Sequence, residues 1–131
     1  MFENYMLLTR GFRNVKQNNQ IVGFQILVKI AYYRGVYLPL IGDFQVAVDG
    51  ERFGVDKMRF TVGRRTFTFE ETAKAEDVRW EFGQPLTITV SKPGGLKPGI
   101  HEVYFLQNIK PSYTGERGRI SSVTQKMSLV I

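Results

Sequence analysis

A single histidine, His101, is the first residue to weigh for chemistry, because an imidazole can move protons near neutral pH. A nucleophilic triad would set it beside Ser91, Ser112, Ser121, Ser122 or Ser128, yet none of these serines stands in a G-x-S-x-G turn. His101 therefore reads as a structural strand histidine. With no cysteine and one histidine, neither thiolate catalysis nor a transition-metal site is expected within this chain. Two carboxylate pairs follow, Glu70-Glu71 and Glu76-Asp77. A glycosidase needs its two carboxyls about 5–10 Å apart across a cleft, whereas neighbours on a short helix diverge in direction. They read as a solvated helix start, where acids suit the dipole. The Gly-rich segment from Lys92 to Gly99 lacks the G-x-x-x-x-G-K-[ST] order of a phosphate loop and reads as a turn. Aromatic contact chemistry remains. Tyr32, Tyr33, Tyr37 and Trp80 could stack on a sugar or a base, or cover a protein interface.

Three of those aromatics belong to residues 30–44, IAYYRGVYLPLIGDF, which has no strand or helix period but stands between segments that alternate well. A loop held between good strands is where a rigid scaffold carries a binding surface. Before it, Val22, Phe24, Ile26, Val28 and Ile30 share one side of a period-two strand. After it, 44–48 reads as a strand leading into Asp49-Gly50, a two-residue hairpin signal that sets Val46 opposite Phe53. Residues 2–12 predict a first short strand, and 14–20, NVKQNNQ, a polar turn.

Residues 60–69 predict a second hairpin with Arg64-Arg65 at its tip, pairing Phe60 with Phe69, Val62 with Phe67 and Thr61 with Thr68. Residues 70–75 form the one helical fragment. Strands follow at 78–82, 86–90 and 100–109, the last apolar on both sides and hence either central or a second contact surface. Val123, Gln125, Met127, Leu129 and Ile131 line a closing strand. Many short strands with little helix predict an all-β fold: a single antiparallel β-sandwich, barrel-like, with one short helix.

At 131 residues the chain is long enough to bury a core as one domain, 1–131. No apolar run approaches the ~20 residues of a membrane span, and the first residues do not read as a signal peptide, so a cytoplasmic protein is expected. The net charge of +6 is scattered, which speaks for solubility and association rather than a nucleic-acid groove. An independent carbohydrate-binding sandwich, stacking sugar on Trp80 and the tyrosines, is the alternative to an interaction subunit. A basic barrel holding single-stranded nucleic acid ranks last, since no RNP-like aromatic motif supports it.

Five motifs in matching order carry a family resemblance: Gly11-Phe12-Arg13-Asn14, Tyr32-Tyr33-Arg34-Gly35, Val48-Asp49-Gly50-Glu51, Arg79-Trp80-Glu81-Phe82 and Pro93-Gly94-Gly95-Leu96. The chain resembles the small β subunit of bacterial C-glycoside deglycosidases over most of its length. None of the motifs is a catalytic signature. The resemblance implies a heteromeric carbon–carbon lyase in which a larger TIM-barrel α subunit carries a divalent metal, manganese in most members, and this chain holds no cofactor of its own. It implies cleavage of the sugar–aglycone C–C bond of 3-oxo-C-glycosides, such as flavonoid C-glucosides, by β-elimination. It also implies that residues 32–41 pack on the α subunit near its active-site mouth, through Tyr32, Tyr33, Arg34, Tyr37, Leu38 and Pro39.

Overall fold

Alternation decides which side of each strand is buried, and the buried sides decide how the sheets stack. The computed structural model describes residues 6–31, 35–110 and 118–129. Within these residues the strands are β1 (Leu7–Gln17), β2 (Gln20–Val28), β3 (Val36–Tyr37), β4 (Ile41–Val48), β5 (Glu51–Phe53), β6 (Met58–Val62), β7 (Arg65–Thr68), β8 (Arg79–Trp80), β9 (Leu86–Ser91), β10 (Gly99–Ile109) and β11 (Arg119–Leu129). One helix, α1 (Phe69–Thr72), follows β7. Three antiparallel sheets result, in the orders β1-β2-β9-β6-β7, β11-β10-β4-β5 and β3-β8. The two larger sheets face each other without closing into a barrel, which is the expected all-β sandwich.

Aromatic rings join the two sheets. Phe44 of β4 lies 5.3 Å from Phe60 of β6 and 6.0 Å from Trp80, centroid to centroid, and 5.4 Å from Phe105 of β10. Phe24 of β2 meets Phe53 of β5 at 5.4 Å. Tilted and edge-on rings at these separations are favourable beyond the area they bury. Phe24, Phe44, Phe60, Trp80 and Phe105 are fully buried, as are Leu86, Ile88 and Val90 of β9.

The turns show where local chemistry overrode composition. At Asp49-Gly50 both φ angles are positive (50° and 87°), and Val46 pairs with Phe53 as expected. The polar stretch 14–20, expected to be all turn, is mostly strand. β1 runs to Gln17 and only Asn18 and Asn19 turn, with φ of 52° and 64°. As a sheet edge, β1 can present polar side chains to solvent while its backbone bonds β2.

The second hairpin turns at Gly63-Arg64 instead of Arg64-Arg65, because glycine takes the left-handed position, φ 61°, at little cost. Moving a turn by one residue shifts every partner by two. Phe60 pairs with Phe67 and Thr61 with Thr66, whose hydroxyls lie 2.9 Å apart, while the aromatics keep their shared face. Phe69, expected in that strand, opens α1 instead. The cause is a capping box: Glu71 N–H donates to Thr68 Oγ1 (3.2 Å) and Thr68 N–H donates to Glu71 Oε1 (2.8 Å).

Because Phe44 contacts rings from both sheets and from β8, Phe44→Ala leaves a cavity that no single side chain can fill. The expected loss is about 3–5 kcal/mol of unfolding free energy, read by urea denaturation. A loss under about 1 kcal/mol would show that the ring cluster does not join the sheets.

Candidate functional site

The expected contact segment is rooted by a buried amide. Gln107 occupies an inward position of β10, between Phe105 and Ile109, and is fully buried. Its Nε2 donates to Lys29 O (3.0 Å) and its Oε1 accepts from Ala31 N–H (2.9 Å), pinning the chain where it leaves β2. Lys29 N–H in turn donates to Met6 O (2.7 Å). A buried amide costs free energy unless paired, so this one dictates where residues 29–31 lie.

On the far side of the segment, Val36 and Tyr37 pair with Trp80 and Arg79, and Leu38 N–H donates to Val78 O (3.0 Å). Gly35 is needed there, since a Cβ would overlap the Trp80 carbonyl oxygen. Pro39 lies in the 3-10 turn Leu38–Leu40, and Leu40 O accepts from Lys110 N–H (2.8 Å).

What this root presents to solvent is a patch of two aromatics and an ion pair. Tyr37 is 39% exposed, and the Arg79 guanidinium carbon stands 5.4 Å from its ring centroid. Arg79 Nε also reaches Glu81 Oε1 at 2.7 Å. Beyond it Phe82, 52% exposed, begins a turn closed by Gln84, whose Oε1 accepts from Glu81 N–H (2.9 Å). Exposed Tyr, Phe and Arg on a fixed backbone are the residues that anchor protein contacts.

Each expected contact residue has a definite place. Tyr32, Tyr33 and Arg34 lie outside the described residues. Tyr37 faces solvent, Pro39 is half-buried, and Leu38 is fully buried in this chain, so it anchors the segment to the core rather than offering contact area. Trp80, expected as a stacking platform under the carbohydrate-binding alternative, is a correction. It is fully buried against Phe44, with Nε1 donating to Gln84 O (2.8 Å). Arg79, Phe82 and Gln107 were not singled out as site residues. An amide among inward apolar residues of a strand was the available signal for Gln107, because such a group must find partners.

The other candidates are structural. His101 Nδ1 lies 2.6 Å from Asp49 Oδ2, and Nε2 lies 2.6 Å from Lys97 O. Both partners are acceptors when Asp49 is ionised, so both ring nitrogens donate and the imidazolium is the favoured form. The Lys97 carbonyl first, and then Asp49, raise the His101 pKa above 6.5, against the opposing effect of burial. The bond to His101 first, and then that to Glu102 N–H, lower Asp49 below 3.8. Glu71 caps α1, and Asp77 approaches Arg65 at 3.3 Å. The 92–99 turn is held by Asn14, whose Nδ2 donates to Leu96 O (2.8 Å) and whose Oδ1 accepts from Leu96 N–H (2.9 Å). Among the described residues, no three of Asp, Glu and His come together as a metal site. No helix among them is long and apolar enough to cross a membrane.

Two outcomes follow. Gln107→Ala, which strands Lys29 O and Ala31 N–H, should cost about 1–3 kcal/mol and speed amide exchange at Ala31. Unchanged exchange there would remove the clamp from the account. The His101 contribution to stability is complete below its unfolded pKa of 6.5 and is lost as pH rises through the higher folded value. That of Asp49 is complete above 3.8 and lost as pH falls through its lower folded value. Thermal unfolding should therefore show a contribution from this pair that is greatest between pH 3.8 and 6.5; His101→Gln should remove the loss at higher pH and diminish the loss at low pH, which the Glu102 N–H bond to Asp49 keeps in part. An identical pH profile in the variant would contradict this.

Comparison with known proteins agrees with the motifs. The family model described as C-glycoside deglycosidase beta subunit matches residues 2–113. The C-glycoside deglycosidase beta subunit of Eubacterium cellulosolvens is 35% identical over 104 residues, covering 79% of this chain and 71% of that protein. The segments that build the site, 29–41 and 78–84, both fall inside the family match, and the chain belongs to the C-glycoside deglycosidase beta subunit family.

Proposed function

We propose that this chain is the small, non-catalytic subunit of a heteromeric C-glycoside deglycosidase, and that residues 32–41 with Arg79 and Phe82 seat it beside the active-site mouth of a larger α subunit. Family membership across residues 2–113 carries the reading. A beta subunit implies a partner, and the Tyr37–Arg79–Phe82 patch supplies anchors of the kind that hold one. The sole histidine, with both ring nitrogens engaged, is committed to holding Asp49 and Lys97 together, which suits a supporting role.

The complex would act on 3-oxo-C-glycosides such as oxidised flavonoid C-glucosides. A ketone at C3 acidifies the C2 proton. A base of the partner removes it, the electron pair forms the C1–C2 double bond, and the C1–aryl bond breaks as the aglycone carbon takes up a proton. The partner is proposed to be a TIM barrel bearing a divalent metal, with manganese as the leading candidate. The whole assembly is proposed to be cytoplasmic. The burial of Trp80 removes the main platform of the carbohydrate-binding alternative.

Co-expression with the chain encoded beside it, followed by light scattering and metal analysis, tests this directly. A stable complex with a larger metal-bearing chain is expected, active on a 3-oxo-C-glycoside. Tyr37→Ala combined with Phe82→Ala should weaken assembly by about tenfold or more while the thermal unfolding of the free subunit stays unchanged. A chain that co-purifies with no larger partner, or full assembly in the double variant, would count against the reading.

A further inference from the structure

Three of the five motifs behind the family resemblance, 11–14, 48–51 and 93–96, take no part in the Tyr37–Arg79–Phe82 site. They meet around His101, roughly 26 Å along β10 from Ile109, which pairs with Ile41 beside that site. Phe12 sets its ring edge-on to the imidazole, centroids 6.0 Å apart. Asp49 accepts from Glu102 N–H through Oδ1 (2.8 Å) and donates its own N–H to Glu102 O (2.9 Å), so its hairpin is fastened to β10 without help from the imidazole. The turn that follows β9 is fastened in two halves. Lys92 N–H donates to Val22 O and Gly94 N–H to Ile21 O, both at 3.0 Å, and Asn14 brackets Leu96, so residues 92–96 are tied to β1 and β2. Lys97 and Pro98 make no hydrogen bond among the described residues except the 2.6 Å contact of Lys97 O with His101 Nε2.

We propose that His101 is a proton-operated latch: its imidazolium ties Lys97 and Pro98 to the Asp49 hairpin, and loss of one proton to solvent releases them while both sheets stay folded. The count of donors forces the asymmetry. An imidazolium has two N–H groups for its two acceptors, and the neutral ring has one. That proton stays on Nδ1, because a bare nitrogen 2.6 Å from the Asp49 carboxylate is worse placed than one facing a neutral carbonyl. Nε2 and Lys97 O then oppose each other lone pair to lone pair, and the contact opens. Asp49 keeps its hold on Glu102 throughout.

The surroundings make the imidazole the group that switches. It belongs to the sole histidine, and imidazole is the side chain that ordinarily changes charge between pH 5 and 8. Its bond to His101, and then that to Glu102 N–H, hold Asp49 ionised to below 3.8. On the turn and the hairpin, Lys92 and Glu51 pair with each other at 2.8 Å. Lys97 and Glu102 are exposed. Arg13 follows Phe12 on β1, and Lys126 stands opposite Glu102 on β11. The Lys97 carbonyl first, and then Asp49, raise the His101 pKa against the effect of burial. The latch is therefore closed below 6.5 and opens as pH rises through the higher folded value. The proposal stands independently of the deglycosidase reading, which uses the other end of the sandwich.

NMR of the isotopically labelled full-length chain, titrated through the His101 transition, tests it. The imidazole 15N shifts report the charge, the Lys97 carbonyl 13C shift reports the bond, and 15N relaxation reports motion. The carbonyl shift should move upfield with the imidazole midpoint. Backbone order parameters at Lys97 and Gly99 should fall from about 0.85 to below about 0.6 over the same range, with Phe105 unchanged. His101→Gln should make the Lys97 signals independent of pH. Asp49→Asn, which keeps a residue suited to the positive φ of 50° but removes the charge favouring the imidazolium, should move the midpoint to lower pH. A Lys97 carbonyl that ignores the imidazole titration, a response retained in His101→Gln, or a midpoint unmoved by Asp49→Asn would overturn the proposal. So would loss of order at Phe105 together with Lys97, which would mean unfolding of the sheet rather than release of the turn.

Discussion

The Gln107 amide is the contact on which the exposed end of this protein depends. It is a polar group in an apolar layer, and its two bonds go to backbone atoms at residues 29 and 31. An amide so placed permits one arrangement of that backbone, because any other leaves several polar atoms unpaired. The segment leading to Tyr37 therefore starts from a fixed point on β10 and ends on β8, and both strands pack against the Phe44 ring cluster. Core packing and surface geometry are thus one problem in this molecule.

A division of labour among its polar groups follows from the same logic. Asn14, Gln84, Gln107 and His101 each bond to backbone atoms and fix a loop or turn. The exposed residues Tyr37, Arg79 and Phe82, by contrast, combine apolar area with charge. Rigid internal hydrogen bonding with apolar outward surfaces suits a protein that works through contacts. Family membership as a beta subunit is consistent with that character.

The strands β2 and β9, and the 44–48 part of β4, could be read from the sequence because each carries a period-two apolar pattern, whereas β10, apolar on both sides, was legible as a strand but not in which side is inward. The Asp49-Gly50 register was equally legible, since a two-residue turn with two positive φ angles leaves one pairing. The family could also be recognised from its five motifs. The hairpin at Gly63 was misplaced by one residue because Arg64-Arg65 and Gly63-Arg64 both fit the alternation, and only the preference of glycine for the left-handed region separates them. The Thr68–Glu71 capping box then took Phe69 out of the strand.

By itself the sequence determined the β-rich class, the inward face of β2 and β9 and the absence of thiol chemistry. These depend on residue type and on spacing along one chain. Tertiary structure decided that Trp80 and Leu38 are buried while Tyr37 and Phe82 are exposed. It decided too that Gln107 meets residues 76 and 78 positions away. No local pattern contains those outcomes, because burial in a short strand and the partner of a buried amide are set by which distant segments fold against them.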